Sequence, residues 1–124
     1  MEYSEEVRRR FQVPGRVGVL VAEGANTLTG EAQDRALGVW ARFQVMIDAG
    51  RIGAVRFQVF GCPHTIAGAS LLAELLEEQP LAALEGAWAR RLAKRLQVPE
   101  EKLGRLLVLE DALRACAQSN EQGW

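Results

Sequence analysis

Apolar positions recur along this chain with two different spacings. Val17, Val19 and Val21 alternate with Gly18 and Leu20; Val39, Ala41, Phe43, Val45 and Ile47 repeat the same period of two, as do Val55, Phe57 and Val59. Each run is the signature of a strand with one buried face, and together they predict three strands. Only the short stretch around Asp48-Ala49-Gly50 separates the second from the third, so that pair forms an antiparallel hairpin; a parallel pair needs a crossover of about a dozen residues or more. After Cys62 the period becomes helical. Ile66, Ala69, Leu72, Leu75 and Leu76 share one stripe until Pro80. Leu84, Trp88, Leu92 and Leu96 predict a second helix, and Leu106, Leu109, Leu113 and Cys116 a third, from about Glu100. Residues 119–124 read as a frayed polar tail. At the other end, Ser4 is placed to cap a short helix through Gln12, with Glu5 and Glu6 in its first turn and Arg8, Arg9 and Arg10 in its last, before Pro14 and Gly15 end it. Strands first and helices after give an α+β fold: a three-stranded antiparallel sheet with helices packed on one face, in a single domain spanning 1–124.

Charge narrows the function classes. A formal net charge of −1 over 124 residues provides no excess of clustered cations for phosphate, so neither nucleic acid nor an anionic membrane is an expected partner. The N-terminal Met1 to Glu6 is acidic and polar where a secretory signal is basic and then apolar, and no apolar run approaches the ~18 residues of a membrane span. A cytoplasmic location follows as the expectation, and with it free thiols for Cys62 and Cys116. Arg90, Arg91, Lys94 and Arg95 lie opposite Leu84, Trp88 and Leu92, as a solvated face does; docking of an acidic partner is the second reading. No phosphate-binding glycine loop, zinc-protease helix or nucleophile elbow is present, and the chain is not expected to be an enzyme.

The remaining chemistry centres on Phe60-Gly61-Cys62-Pro63-His64. A strand ends, glycine permits a sharp turn, and Pro63 suits the first position of a helix. Unpaired N–H groups at that helix terminus favour thiolate, the form that binds metal or attacks sulfur. A small residue buried at a tight junction is the competing reading. His64, the single histidine, reads first as a surface or turn residue and second as a metal ligand or a base toward Cys62. Two ligands do not complete a zinc site. Cys116 lies on the apolar stripe of the last helix, where a cysteine packs as a small hydrophobe.

Tyr3-Ser4-Glu5-Glu6-Val7 with Pro14 and Gly18, then Arg56-Phe57, Gly61-Cys62 and Glu110-Asp111-Ala112, resemble the U-type iron–sulfur cluster assembly scaffolds, the family that includes the N-terminal domain of NifU-like proteins. The likeness runs almost end to end. It implies a nascent iron–sulfur cluster held by three cysteines and an acidic or histidine ligand, since such sites are filled chiefly by thiolates. Carried over position by position, the resemblance keeps Cys62 as a cluster or metal ligand, with His64 a weaker metal candidate beside it. The first family cysteine falls on Ala36 or Leu37, within a stretch from Gly24 to Gly38 that has no cysteine, and its neighbouring aspartate falls on Gly38 or Val39. Glu31 and Asp34 are the nearby oxygen donors. Gly104 and Arg105 replace the last His-Cys pair. The segment from Val98 to Arg105 resembles the one that engages a dedicated chaperone, but Glu100 stands where its second proline would be.

Three accounts follow. The chain serves iron–sulfur assembly with Cys62 accepting sulfur or contributing to iron or a cluster between subunits; or it is a docking or regulatory module for a cysteine desulfurase or another assembly partner; or Cys62 and His64 form an unrelated thiol or metal site. For cofactors, the resemblance leaves iron, an iron–sulfur cluster, adventitious zinc, or none in a monomer.

Overall fold

The computed structural model describes residues 3–20 and 26–121. Helix α1 (Glu5–Gln12) begins as its sequence dictates: Ser4 adopts extended backbone, and its hydroxyl accepts a hydrogen bond from the Val7 amide at 3.2 Å. The same hydroxyl donates to the Leu96 carbonyl at 2.7 Å, so one side chain satisfies orphan groups at the ends of two helices. Arg10 spans Glu6 (2.9 Å) and Glu74 (3.0 Å) and ties α1 to the helix below it.

Three antiparallel strands follow, β1 (Thr27–Asp34), β2 (Val39–Asp48) and β3 (Arg51–Phe60), in the order β1-β2-β3. Ala49 (φ 52°) and Gly50 (φ 78°) form the two-residue β2–β3 turn, the left-handed pair whose twist matches the flanking strands. The strand count and hairpin agree with the hydrophobic spacing, but the first strand lies elsewhere. Val17 makes a single bridge to Phe57, Val17 and Val19 are each 52% exposed, and the left-handed backbone at Arg16 (φ 71°) and Gly18 (φ 127°) breaks the run; Val21 lies outside the described residues. The segment instead skirts the outer sheet face, where the Leu20 amide donates to the buried Gln44 side chain at 2.9 Å. The real first strand occupies most of what reads as a cysteine-free loop from Gly24 to Gly38. Its inward positions are Leu28, Gly30 and Ala32, and two of them are too small to register as a hydrophobic period.

Gly30 is small for a reason. Helix α4 (Leu103–Glu121) crosses β1 so closely that a Cβ at Gly30 would collide with the backbones of Ala112 and Cys116. Helix α2 (Pro63–Leu76) covers β3, and α4 packs against it at Gly68, where an added Cβ would press on Leu106 and Leu109. The helical cover lies on the face carrying Leu28, Ala41, Phe43, Val45, Ile52, Val55 and Phe57. The segment expected as one helix from Leu84 to Leu96 is divided into a 3₁₀ turn (Leu81–Glu85) and helix α3 (Ala89–Leu96), because Gly86 turns extended and the Trp88 indole donates to the Ala83 carbonyl at 2.8 Å. Glu110, buried in α4, accepts from the Ala89 amide at 3.0 Å and so serves as a remote cap for α3. Helix α4 continues through Glu121, into the stretch expected to fray, and 122–124 lies outside the described residues. Among the described residues no helix is long and apolar enough to cross a membrane.

Candidate functional site

Cys62 is the N-cap of α2, with extended backbone (φ −81°, ψ 171°) and Pro63 at the first helical position. It is half-buried and free. Its sulfur lies 3.5 Å from the Thr65 hydroxyl, the N-cap to N3 relationship by which an ordinary cap reaches into the first turn. Burial opposes ionisation of the thiol. The Thr65 hydroxyl, the backbone N–H groups of Thr65 and His64, and the charge of Arg105 outweigh that opposition, so Cys62 ionises below the ordinary thiol value. The shift has the direction expected of a helix-terminal thiol, helped by the Thr65 hydroxyl and the charge of Arg105, which the local sequence does not reveal. The Cys-x-x-Thr spacing was the available signal, since residues three apart at a helix start share a face.

His64 is not a surface or turn residue. It is 1% exposed, meets the Tyr3 ring edge-on with centroids 4.7 Å apart, and both ring nitrogens are buried without a hydrogen-bond partner. Burial, then the charges of Lys102 and Arg105, keep its imidazole neutral by lowering its pKa. The side chains of Cys62 and His64 make no hydrogen bond with each other: the sulfur turns to Thr65 and the ring to Tyr3. Two residues apart at a helix N-terminus, they leave in different directions.

The β1–β2 turn and the start of α4 close the site. Asp34 accepts the Leu37 amide at 3.1 Å, the Gly38 amide donates to the Arg35 carbonyl at 3.2 Å, and Gly38 takes the left-handed conformation (φ 69°). That turn directs Leu37 at α4, where a Cβ on Gly104 would lie 3.3 Å from its methyl. Trp40 pairs with Phe60 across β2 and β3, so this turn and the Cys62 junction share one end of the sheet. The positions that the resemblance assigned to a cluster hold Ala36 or Leu37, Cys62, Gly104 and Arg105: the β1–β2 turn meets α4 at Leu37 and Gly104 and shares its end of the sheet with the Cys62 junction. Glu31 is committed to the Trp40 indole at 2.9 Å, and Asp34 to its turn.

This donor set does not fit a cluster held within one chain. Leu37 and Gly104 bring no donor atom, Arg105 brings a cation, and no group of three or more His, Cys, Asp or Glu side chains able to hold a metal occurs among the described residues. Lys102 and Arg105 make the surroundings positive, which opposes a metal cation and favours an anion. Elsewhere, Cys116 is packed as expected: it is buried, its sulfur faces the Phe43 carbonyl at 3.5 Å, and burial pushes its thiol up to about 12. Arg90, Arg91, Lys94 and Arg95 form the exposed face of α3, with Arg91 lying 4.2 Å over the Trp88 ring and Arg95 reaching Glu6 at 3.3 Å.

Comparison with known proteins bears on what this site descends from. Residues 2–122 match the family described as NifU-like N terminal domain. The chain is 33% identical over 115 residues to Iron sulfur cluster assembly protein 1, mitochondrial, of Eremothecium gossypii, covering 91% of this chain and 75% of that one. It is 30% identical over 116 residues to the Iron-sulfur cluster assembly scaffold protein IscU of Haemophilus influenzae, covering 93% and 92%. Among solved structures, the N-terminal part of a nitrogen-fixing NifU-like protein from Brucella abortus superposes with a TM-score of 0.71 at 18% identity, over 97% of this chain and 94% of that one, and supports the fold.

Proposed function

Because the chain belongs to the NifU-like N-terminal domain family, we propose that it serves iron–sulfur cluster assembly as a sulfur acceptor, with Cys62 the receiving group and no cluster held within one chain. The observation that carries this reading is the pairing of one free cysteine at a helix N-terminus with neighbours that bring no other thiol. Cys62 keeps the Thr65 hydroxyl at 3.5 Å and a helix N-terminus beneath it, while Ala36 or Leu37, Gly104 and Arg105 stand at the positions the resemblance gives to the other ligands. Such a site can attack and carry one sulfur atom but cannot supply four protein bonds to a cluster. The sulfur source in this reading is the persulfide of a cysteine desulfurase; recruitment of a chaperone is not part of it, since Glu100 replaces the second proline of the segment that resembles the chaperone-engaging one. The relatives' scaffold role argues for a carrier and not a catalyst of its own.

Incubating the reduced protein with a cysteine desulfurase and cysteine, followed by alkylation and peptide mass analysis, tests it. The expected outcome is one added sulfur on Cys62, absent in Cys62→Ala. Anaerobic reconstitution with iron and sulfide is expected to leave the monomer without cluster absorption. A coloured, iron-loaded monomer that loses its colour in Cys62→Ala would return the chain to the full scaffold reading. The second reading, a docking module with the chemistry lost, is favoured by one feature: Phe60, 73% exposed two residues before Cys62, is an aromatic anchor that needs no thiol. Desulfurase stimulation that survives Cys62→Ala and fails in Phe60→Ser selects it.

A further inference from the structure

Helix α3 carries four of the chain's 15 cations in eight residues and contains no carboxylate. We propose that the groove between α3 and α4 docks an acidic amphipathic helix of a partner protein, with Arg90 and Lys94 meeting its carboxylates and Leu103 and Leu107 its apolar stripe. The surface lies apart from Cys62, and the proposal does not depend on sulfur transfer.

Charge supplies the first argument. Leu92 and Leu96 are buried, so Arg90, Arg91, Lys94 and Arg95 all stand on the exposed side of the helix. A helix face that is merely solvated carries acids three or four residues from its bases, and α3 has none to offer. Arg91 and Lys94 make no ion pair among the described residues. Arg90 has only Glu100, at 3.7 Å, with the two side chains 78% and 84% exposed, an arrangement that contributes little. Arg91 is held 4.2 Å over the Trp88 ring, which fixes its guanidinium before a partner arrives and lowers the cost of ordering it. Arg95 and Arg9 both reach Glu6, at 3.3 and 3.8 Å, and carry the positive face on to α1. Like charges gathered without acids repel one another, and an acidic partner relieves that repulsion.

The second argument is what lies beside the cations. The Glu110 carboxylate caps Ala89, while at the other end of α3 Val98 and Leu103 line one cleft, so α3 and α4 run antiparallel side by side. That cleft, of about 200 Å³, has Ala93, Val98 and Leu103 as its apolar part and Arg90, Lys94 and Glu100 as its charged part. Leu107, one turn along α4 from Leu103, is 42% exposed and extends the apolar strip toward the beginning of α3. A phosphate backbone would engage the cations and leave the leucines wet. An uncharged apolar helix would do the reverse. A bilayer is flat and does not reach a floor recessed between two helices. A helix with leucine-like residues on one side and carboxylates on the other satisfies both parts of the groove at once.

The test is fluorescence anisotropy with the full chain and a labelled peptide of about 15 residues, about four turns of helix, with leucines on one face and glutamates on the other. Its control is a peptide of the same composition in scrambled order. The amphipathic peptide is expected to bind at low ionic strength, and the scrambled one at least about tenfold more weakly. Raising ionic strength from about 0.01 to about 0.15 M should weaken binding about tenfold. Arg90→Glu, an acid suited to the first turn of α3, and separately Leu107→Asp should each lower affinity by about tenfold or more. Arg35→Glu makes the same charge change on the exposed β1–β2 turn and should leave affinity within about twofold. A cooperative denaturant transition in each variant shows that it is folded. No binding of the amphipathic peptide, or equal binding of the scrambled one, overturns the proposal. An equal loss in Arg35→Glu reduces the patch to general attraction of anions and overturns it too, and so does full affinity in Leu107→Asp. Vesicles of phosphatidylserine and phosphatidylcholine are the remaining probe: if they bind and displace the peptide, the surface belongs to a membrane and the proposal falls. No arm of the experiment involves a thiol, so its failure leaves the reading of Cys62 untouched.

Discussion

The two cysteines of this chain occupy opposite kinds of place. Cys62 follows a strand and starts a helix, half-buried, with N–H groups and a hydroxyl at its sulfur and the charge of Arg105 acting on it. Cys116 lies on the buried stripe of α4, with its backbone pressed against Gly30 and its sulfur toward the Phe43 carbonyl. One is held below the ordinary thiol value; the other is pushed up to about 12. The atom is the same, so the difference comes from where each helix puts its dipole and where the sheet excludes water. Reactivity at this site is a property of one helix terminus, and core integrity a property of one close helix–strand contact.

Four measurements break or sharpen that contrast. The largest effect is expected from Gly30→Leu, which cannot be accommodated between β1 and α4 and should cost at least about 4 kcal/mol, seen as loss of the cooperative denaturant transition. In that variant Cys116 should become as open to alkylation as Cys62. In the native chain, Cys62 should react with iodoacetamide at least about a thousandfold faster than Cys116, whose labelling waits for unfolding. Comparable native rates would show that α4 does not protect its sulfur.

The next pair of variants makes the same change at both places. Cys116→Ser puts a hydroxyl into the core and should destabilise by about 1–3 kcal/mol. Cys62→Ser installs a preferred N-cap and should stabilise by about 0.5 kcal/mol. Opposite signs in the same denaturation experiment support the contrast, and equal losses would refute it. The smallest effect lies away from both thiols. Arg16 makes two hydrogen bonds to Glu77, at 2.8 Å each, and these, against the opposing effect of burial, hold the Glu77 carboxyl below its ordinary value of 4.5. The stability this gives is present above that value and lost as pH falls through the lowered one. Arg16→Gln should therefore cost about 0.5–1 kcal/mol near neutrality. Its difference from the parent should shrink below pH 4.5, with the labelling of Cys62 and Cys116 unchanged.

What could be read from sequence follows from which residues announce themselves. Ser4, the β2–β3 hairpin, and the helical stripes of α2 and α4 rest on local chemistry, capping and large apolar side chains, and they are found where the spacing puts them. The first strand was misplaced because valine is loud and glycine silent. Val17 and Val19 have the period without a sheet to bury them, whereas Gly30 and Ala32 are inward yet small, Gly30 because a helix leaves no room for more. At the site, Cys62 was legible from its strand–Gly–Cys–Pro junction. His64 was not, because burial of an imidazole depends on Tyr3, Lys102 and Arg105, which lie far from it in sequence. Arg105 could be named only as a missing ligand; that its charge acts on Cys62 is a fact of tertiary packing.

The contact between Leu37 and Gly104 bears on whether the lost site could return. Any side chain placed at 104 begins 3.3 Å from a Leu37 methyl, so an imidazole there must first displace leucine. Replacing Ala36 or Leu37 alone by cysteine gains a single thiol, with Gly104 and Arg105 still supplying no thiolate. On the proposed reading no single substitution completes a ligand set; changes at 36 or 37, at 104 and at 105 are needed together. This site is thus more readily sharpened as a one-thiol acceptor, which takes single changes, than turned to holding a cluster, which takes several at once.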